Sequence, residues 1–113
     1  MITGMTYMVR EGPQYAMEDA TPVYNIRVTT KSGATPVITN DATLRMYVYK
    51  NGSDASSTFL TGSMAVSGDV ITTKTFQNLV GGDALHVTIF ATVNGTYGCV
   101  AEFPLIVRRK SGK

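Results

Sequence analysis

The sequence has a single cysteine, Cys99, and a single histidine, His86, so a catalytic thiol and imidazole would have to come from this pair. One cysteine excludes an internal disulfide, and one histidine excludes a histidine-rich metal site. The two residues lie on consecutive predicted strands, roughly 13 to 16 Å apart along the ladder. In the register favoured below they also point to opposite faces. We therefore predict a small buried thiol and an outward-facing histidine.

The other groups that could do chemistry are scattered. The carboxylates lie mainly in predicted turns, where aspartate bonds to the local backbone; they include Glu18, Asp19, Asp41, Asp54, Asp69 and Asp83. No D-x-D-x-D-G calcium loop occurs, and the glycines form neither a G-x-x-x-x-G-K-[ST] nor a G-x-G-x-x-G phosphate-binding motif. The sequence therefore predicts no enzyme, no metal and no cofactor.

Alternation of apolar and polar side chains runs along most of the chain, as expected of strands with one buried face. The residues predicted to share inward faces are Tyr24, Ile26 and Val28; Leu44, Met46 and Val48; Leu85, Val87, Ile89, Ala91 and Val93; and, in the closing strand, Tyr97, Cys99, Ala101, Phe103, Leu105 and Val107. This periodicity of two predicts a protein built from short strands.

The register of the last hairpin depends on its turn at Asn94 and Gly95, a dipeptide that favours two-residue hairpin turns. Such a turn would set Phe90 opposite Cys99 and would mismatch the apolar faces. A three-residue connection would instead pair Ala91 with Cys99 and would match every apolar face along the two strands. We therefore predict the three-residue connection.

About seven short strands, separated by turn signals, predict an all-β fold: an antiparallel immunoglobulin-like β-sandwich, with a partly open barrel as the alternative. A hairpin is predicted around 67–69. Residues 15–20 are interpreted as a loop with one helical turn. Pro104 marks an edge position, a bulge or a change of sheet partner. We assign residues 1–107 to a single domain.

The formal charge of +2 is unevenly distributed. Residues 1–107 carry six basic and eight acidic groups, whereas Arg108, Arg109, Lys110 and Lys113 give residues 108–113 the character of a basic tail. Weak contacts of this tail with nucleic acid are conceivable. The favoured interpretation is a solvated, disordered terminus.

No apolar stretch reaches the roughly 18 residues that span a bilayer, and the first residues lack the basic and apolar regions of a secretory signal. Taken as complete, the product would stay in the host cytoplasm or in a particle assembled there. Asn51-Gly52-Ser53 and Asn94-Gly95-Thr96 match the glycosylation sequon, but we interpret both as hairpin turns. Charged residues make up only 16% of the chain, and low charge with free sheet edges suits a protein protected by neighbours.

One segment, Leu79-Val-Gly-Gly-Asp83 with the alternating strand that follows to Ala91, resembles the corner and following strand of fibronectin type III domains. In that family the position filled here by Leu85 is usually a tyrosine whose hydroxyl bonds back to the corner. The resemblance implies a β-sandwich.

A second resemblance rests on the order of elements over residues 7–107: a short strand near 9–12, the hairpin at 66–71, the glycine-rich corner at 79–83, and the long strand that ends at Asn94 and Gly95. This order is similar to that of small structural proteins of tailed phages and prophages. The resemblance implies a virion-associated structural protein without catalytic activity.

The outward side chains of the middle strands form the candidate site. If the faces are as predicted, Arg45, Tyr47 and Tyr49 point outward from one strand, and His86 and Phe90 from another. Were the two strands neighbours, as the C and F strands of an immunoglobulin-like sheet are, they would create an aromatic patch, and tyrosine and arginine are enriched at binding hot spots. We predict contacts with protein partners or self-association in an assembly. The alternative is a carbohydrate-binding module whose aromatic rings stack on sugars. A further alternative is that loops or the first 20 residues cover this face.

Overall fold

The computed structural model describes residues 9–10, 14–29 and 35–110. Its elements are β1 (Val9–Arg10), β2 (Gln14–Met17), β3 (Asn25–Arg27), β4 (Ile38–Thr39), β5 (Arg45–Lys50), β6 (Ser53–Asp54), α1 (Ser56–Phe59), β7 (Leu60–Thr61), β8 (Ala65–Ser67), β9 (Val70–Thr72), β10 (Thr75–Phe76), β11 (Ala84–Val93) and β12 (Thr96–Arg108). The predicted all-β, immunoglobulin-like sandwich is confirmed, although its strands are divided into more and shorter segments than expected. Within the described residues, no helix is long and apolar enough to cross a bilayer.

Two larger sheets face each other, and β7 and β10 form a separate two-stranded antiparallel sheet. The long sheet has the order β1, β12, β11, β5, β6, with β2 also paired to β12 and β4 to the end of β11. Its described pairings are antiparallel except those of β1 and β2, which run parallel to β12. The neighbour of β12 changes from β1 to β2 on the two sides of Pro104, which fits the predicted change of sheet partner. The second sheet has the order β3, β9, β8 and includes the predicted hairpin near 67–69.

The core lies between the sheets and is built by the alternate residues that the sequence pattern identified. Its fully buried members include Ile71 and Val28 from the second-sheet side and Val48, Ile89 and Leu105 from the long sheet. Burying each such side chain contributes roughly 1.5 to 3 kcal/mol. The pattern of one apolar residue in two is therefore the main stabilising feature of the fold.

Tyr24 connects the two layers. Its ring meets Phe76 at 5.6 Å and Phe103 at 5.9 Å between centroids, both in edge arrangements. Its hydroxyl donates to the Tyr15 carbonyl oxygen at 3.4 Å. Burial raises the pKa of the Tyr24 hydroxyl. Aromatic contact and hydrogen bond together hold β2 against the second-sheet side of the molecule.

The hairpin of β11 and β12 contains both of the registers considered above. Asn94 and Gly95 form a two-residue turn with φ angles of 50° and 82°, so the predicted three-residue connection is wrong. A bulge at Val100 then shifts the pairing by one residue, and from Ile89 onward the ladder follows the predicted register. The bulge reconciles a tight Asn-Gly turn with matched apolar faces.

The same bulge reverses the facing of the first part of β12. Val100 and Ala101 are consecutive and both 0% exposed. Tyr97 and Cys99, which precede the bulge, therefore point outward. Strict alternation counted back from Phe103, without a bulge, would have placed both side chains on the core face. The prediction that they share the core face is wrong.

Two local predictions also fail. Residues 15–20 contain the end of strand β2, because pairing with β12 outweighs the weak helical character of this segment. The helical turn α1 was not predicted, since 58–66 reads as one strand. Asp54 organises this turn: its Oδ1 accepts hydrogen bonds from the Ser56 N–H at 2.9 Å and the Ser56 hydroxyl at 2.6 Å.

These hydrogen bonds hold the pKa of the Asp54 carboxyl below its ordinary value. Because the unfolded chain then takes up the proton first, the contribution of Asp54 to stability is present above the ordinary pKa and is lost as pH falls through the folded pKa. We expect Asp54→Ala to be less stable than wild type at neutral pH and the difference to vanish in acid. Urea midpoints from about pH 7 to about pH 2 would measure this; a constant difference across the range would contradict it.

The backbone at both edges of the long sheet has local partners. On β5, the Val48 N–H donates to the Ser56 hydroxyl at 2.9 Å, and the Val48 carbonyl accepts from the Ala55 N–H at 2.7 Å. On β2, the Met17 carbonyl accepts from the Ala20 N–H at 3.1 Å. The free edges expected from the sequence are thus partly covered in the described structure, which disfavours edge-to-edge association.

The corner that resembles fibronectin type III domains is fastened by backbone bonds. The Gly82 N–H donates to the Val107 carbonyl, and the Val107 N–H donates to the Asp83 carbonyl, both at 2.9 Å. Asp83 also pairs with Lys50 at 3.1 Å. Leu85 is 2% exposed, so the corner closes around an apolar side chain where that family usually has a tyrosine.

Candidate functional site

Four aromatic side chains form a row on the outward face of the long sheet: Tyr49 and Tyr47 on β5, Phe90 on β11 and Tyr97 on β12. Successive ring centroids are 6.5, 5.8 and 6.0 Å apart. Phe90 stacks on Tyr97 with 21° between the ring planes and meets Tyr47 edge-on at 76°. We call these four residues the aromatic row and the surface that carries them the outer face.

All five residues predicted for the candidate site lie on the outer face. β5 and β11 are neighbours, and the ladder sets Arg45 beside Phe90 and Tyr49 beside His86, with Tyr47 between them. Arg45 and His86 are exposed, and the three aromatic residues are half-buried. The partial burial comes from the contacts among the rings.

Tyr97 is the member that sequence reasoning missed. It is 50% exposed and more accessible than the other three. The prediction placed it inward because strict alternation was extended back from Phe103. Two signals together point to the bulge: the Asn94-Gly95 dipeptide, which favours a two-residue turn, and the apolar doublet Val100-Ala101 in a strand that otherwise alternates.

Charged groups share the outer face with the aromatic row: Arg45 and His86 lie beside it, and Arg108 lies farther along, at the end of β12. His86 Nε2 lies 3.8 Å from the Glu102 carboxylate. Arg45 donates only to the Ala42 carbonyl, at 3.0 Å, and the Arg108 guanidinium lies 4.3 Å from the centre of the Tyr15 ring. Among the described residues, neither arginine has a carboxylate partner, so the outer face presents two cationic groups without a counter-charge.

A shallow groove of about 500 Å³ lies at the β6 end of the aromatic row. It is lined by Tyr49, Asn51, Gly52, Ala84, Leu85, His86 and Pro104. Its walls are mainly apolar, and the Asn51 amide and the His86 imidazole supply polar groups. A side chain of a bound partner could insert here beside Tyr49.

The outer face also contains Cys99. Because the ladder sets it opposite Phe90, Cys99 shares a face with His86, which corrects the prediction of opposite faces and of a buried thiol. Cys99 pairs with Phe90, which lies four residues from His86 along β11, so the thiol and the imidazole are still roughly 13 Å apart. The thiol contacts the Ala101 carbonyl at 3.5 Å, and the imidazole faces Glu102. Thiol and imidazole are thus not brought together. Within the described residues, no cluster of three His, Cys, Asp or Glu side chains could hold a metal ion.

The start of the predicted basic tail is packed against the N-terminal strand. Arg108 is the last residue of β12, and its guanidinium contacts the Tyr15 ring. The Lys110 N–H donates to the Glu18 carboxylate at 2.8 Å, and Lys110 Nζ pairs with Asp19 at 3.0 Å. The hydrogen bond and charge of Asp19 raise the pKa of Lys110. This differs from the solvated terminus expected; the last three residues lie outside the described part of the chain.

Among the described residues, one buried polar group of the outer face lacks a partner. The Thr88 hydroxyl is buried between the neighbouring strands and has no hydrogen bond to any described residue. Replacing it by an isosteric methyl, Thr88→Val, is expected to raise the free energy of unfolding by about 1 kcal/mol. The matched control Thr92→Val breaks the 2.8 Å hydrogen bond to Thr43 and should lower it by a similar amount. Denaturant titrations would compare them, and a loss of stability in both would contradict the assignment.

No protein-family model matches the chain, and no curated protein does. Among solved structures it is similar to titin immunoglobulin domains. A fragment of three such domains, in an E-to-A variant, matches at 17% identity with a TM-score of 0.50, over 93% of this chain and 32% of the fragment. An I-band fragment of titin gives 16% identity, a TM-score of 0.50 and the same coverages. A titin chain in a trigonal crystal form gives 13% identity and a TM-score of 0.51, over 91% of this chain and 93% of that one.

The chain spans about a third of the multidomain titin fragments and nearly all of the shorter titin chain. At these identities the likeness establishes the fold alone, an immunoglobulin-like sandwich.

Proposed function

We propose that this domain is a non-enzymatic interaction module whose outer face binds a protein partner. The observation that carries the proposal is the aromatic row, which presents ring surface on the side of the sheet that faces away from the core. Tyrosine and arginine dominate binding hot spots because they combine a large contact area with hydrogen bonding. The outer face supplies both residue types in one contiguous surface.

The outward side of the second sheet provides a contrast. Its polar groups bond to one another: the Thr72 hydroxyl donates to the Asn25 side chain at 2.7 Å, and Arg27 Nη1 donates to both carboxylate oxygens of Asp69, at 2.8 and 2.9 Å. Polar groups that are already paired gain little from a partner. The two faces of the sandwich therefore differ in their capacity for binding, and the long sheet carries the better surface.

The size of the outer face fits one specific contact. Four neighbouring strands about 4.8 Å apart and about nine residues long cover roughly 600 Å² in projection. A standard protein interface buries about 800 Å² per partner. A partner would therefore have to cover essentially all of this sheet surface.

The charges favour an acidic partner over a second copy. Arg45 and Arg108 lack carboxylate partners among the described residues, and the carboxylate of Glu102 lies 3.8 Å from His86 Nε2. In a face-to-face pair of identical chains, four such arginines would share two glutamates, and like charges across an interface are costly. A protein surface with acidic and apolar side chains would complement this face.

Light scattering coupled to size-exclusion chromatography, across a concentration series, tests this choice. We expect a monomer. A dimer that is lost in Phe90→Ala would retain the outer face as the contact but would replace the acidic partner by a second copy. A dimer that persists in Phe90→Ala, or that is lost only in the second-sheet control Asn25→Ala, would contradict the proposal.

A carbohydrate ligand is the second candidate, supported by the half-exposed Tyr97 ring stacked on Phe90. Binding to a glycan array that is lost in Tyr97→Ala would favour it. Placement in a virion or in the host cytoplasm stays a prediction from the sequence, and genes for capsid or tail proteins beside this one would support the virion.

A further inference from the structure

We infer that Asn51 is a site of spontaneous deamidation in the folded protein, and that Asn94 is protected although it lies in the same dipeptide. Each asparagine is followed by glycine in a two-residue hairpin turn. The φ angles are nearly equal: 53° and 81° at Asn51 and Gly52, 50° and 82° at Asn94 and Gly95. The Asn-Gly dipeptide and its φ angles therefore do not distinguish the two sites.

The side-chain contacts do distinguish them. The Asn94 Oδ1 accepts a hydrogen bond from the Val37 N–H at 2.9 Å, and the Asn94 N–H donates to the Val37 carbonyl at 2.9 Å. Asn51 is exposed, and its amide has no hydrogen bond to any described residue. A free amide can rotate into the geometry that reaction requires, whereas a bonded one must first break its contact.

The reaction needs only the chain and water. The Gly52 backbone nitrogen, as it loses its proton, attacks the Asn51 Cγ; the new C–N bond closes a succinimide ring as ammonia leaves with the returned proton. Water then opens the ring at either carbonyl and gives aspartate or isoaspartate. A Cβ placed on Gly52 would meet no atom within 4 Å, so the turn is open to solvent around this glycine. The same holds at Gly95, which leaves the side-chain contact as the difference.

The product would change the outer face. Asn51 lines the groove beside Tyr49 and His86, so deamidation places a new carboxylate at the rim of that groove. This consequence rests on the proposed function: a negative charge there would weaken binding of an acidic partner. The modification itself is independent of that function and can be measured on the isolated protein.

The experiment is peptide mapping by mass spectrometry after incubation of the folded protein at mildly alkaline pH. We expect aspartate and isoaspartate to accumulate several-fold faster at Asn51 than at Asn94. The same incubation in concentrated urea is the matched control. In the unfolded chain the two rates depend only on the local sequence, which is Asn-Gly-Ser at one site and Asn-Gly-Thr at the other. In the unfolded chain the two rates should become nearly equal.

Equal rates at the two sites in the folded protein would overturn the inference. So would an Asn51 that reacts in urea but stays intact in the folded chain, since the turn itself would then be protective. Failure of partner binding to respond to Asn51→Asp, with selective deamidation still observed, would count against the proposed function and would leave the modification site standing.

Discussion

Truncation of Phe103 to alanine is expected to lower the free energy of unfolding by about 3 to 5 kcal/mol, because it removes a large ring from a close-packed core. Phe103 is 1% exposed and meets Tyr24, which in turn contacts Phe76. Since Tyr24 also bonds to β2, the cavity would loosen both layers of the sandwich. A loss of this size is comparable to the whole stability of many small domains. Urea denaturation followed by circular dichroism would measure it.

Phe90→Ala is the matched control, because it deletes the same ring from the opposite side of the same sheet. Phe90 is half-buried among other outward rings and leaves no core cavity. We expect a loss of about 1 kcal/mol. Equal losses at Phe103 and Phe90 would mean that the outer rings are part of a second core, and the distinction between the inner and outer faces would fail. Should Phe103→Ala not fold at all, Phe103→Leu allows the same comparison.

Phe90→Ala and Tyr47→Ala are each expected to weaken partner binding by about 2 kcal/mol, or roughly 30-fold in Kd. The two rings contact each other at 5.8 Å and lie in the middle of the aromatic row, where water is most readily excluded. Titration of each variant with the partner obtained by the crosslinking described below would give the ratio of Kd values. Arg45→Glu should reduce binding as well if the partner is acidic.

The control for these variants is Asn25→Ala, on the outward side of the second sheet. We expect it to bind as wild type does. Because Phe90→Ala keeps most of its stability, folded variants can be compared at the same temperature. Unchanged affinity in both Phe90→Ala and Tyr47→Ala would remove the aromatic row from the binding surface, whatever the partner is.

Much of this structure follows from the alternation of apolar and polar residues along the strands. The inward faces of β5 and β11 were predicted residue by residue, because burial on one side of a strand imposes a period of two. The pairing of those strands rested on analogy with immunoglobulin-like sheets, and it brought Tyr47 and Phe90 together. These features are local in sequence or follow directly from the fold class.

What could not be predicted depends on contacts between distant segments. The bulge at Val100 allows both a two-residue turn and matched apolar faces in the core. Alternation of apolar and polar residues accounts for the matched faces only. The strand β2 exists because β12 offers it a parallel partner. The packing of Lys110 against Asp19 likewise joins residues at opposite ends of the chain. Tyr97 was missed because the bulge was not foreseen, and it is the most exposed ring of the aromatic row.

The most direct test of the claim that the outer face is the contact surface is site-specific photocrosslinking in the cells that make the protein. One variant carries a photoreactive residue in place of Tyr97, and the other carries it in place of Asn25 on the opposite sheet. We predict a defined protein adduct from position 97, lost when Phe90→Ala is added, and none from position 25. Adducts of the same partner from both positions, or from position 25 alone, would contradict the account.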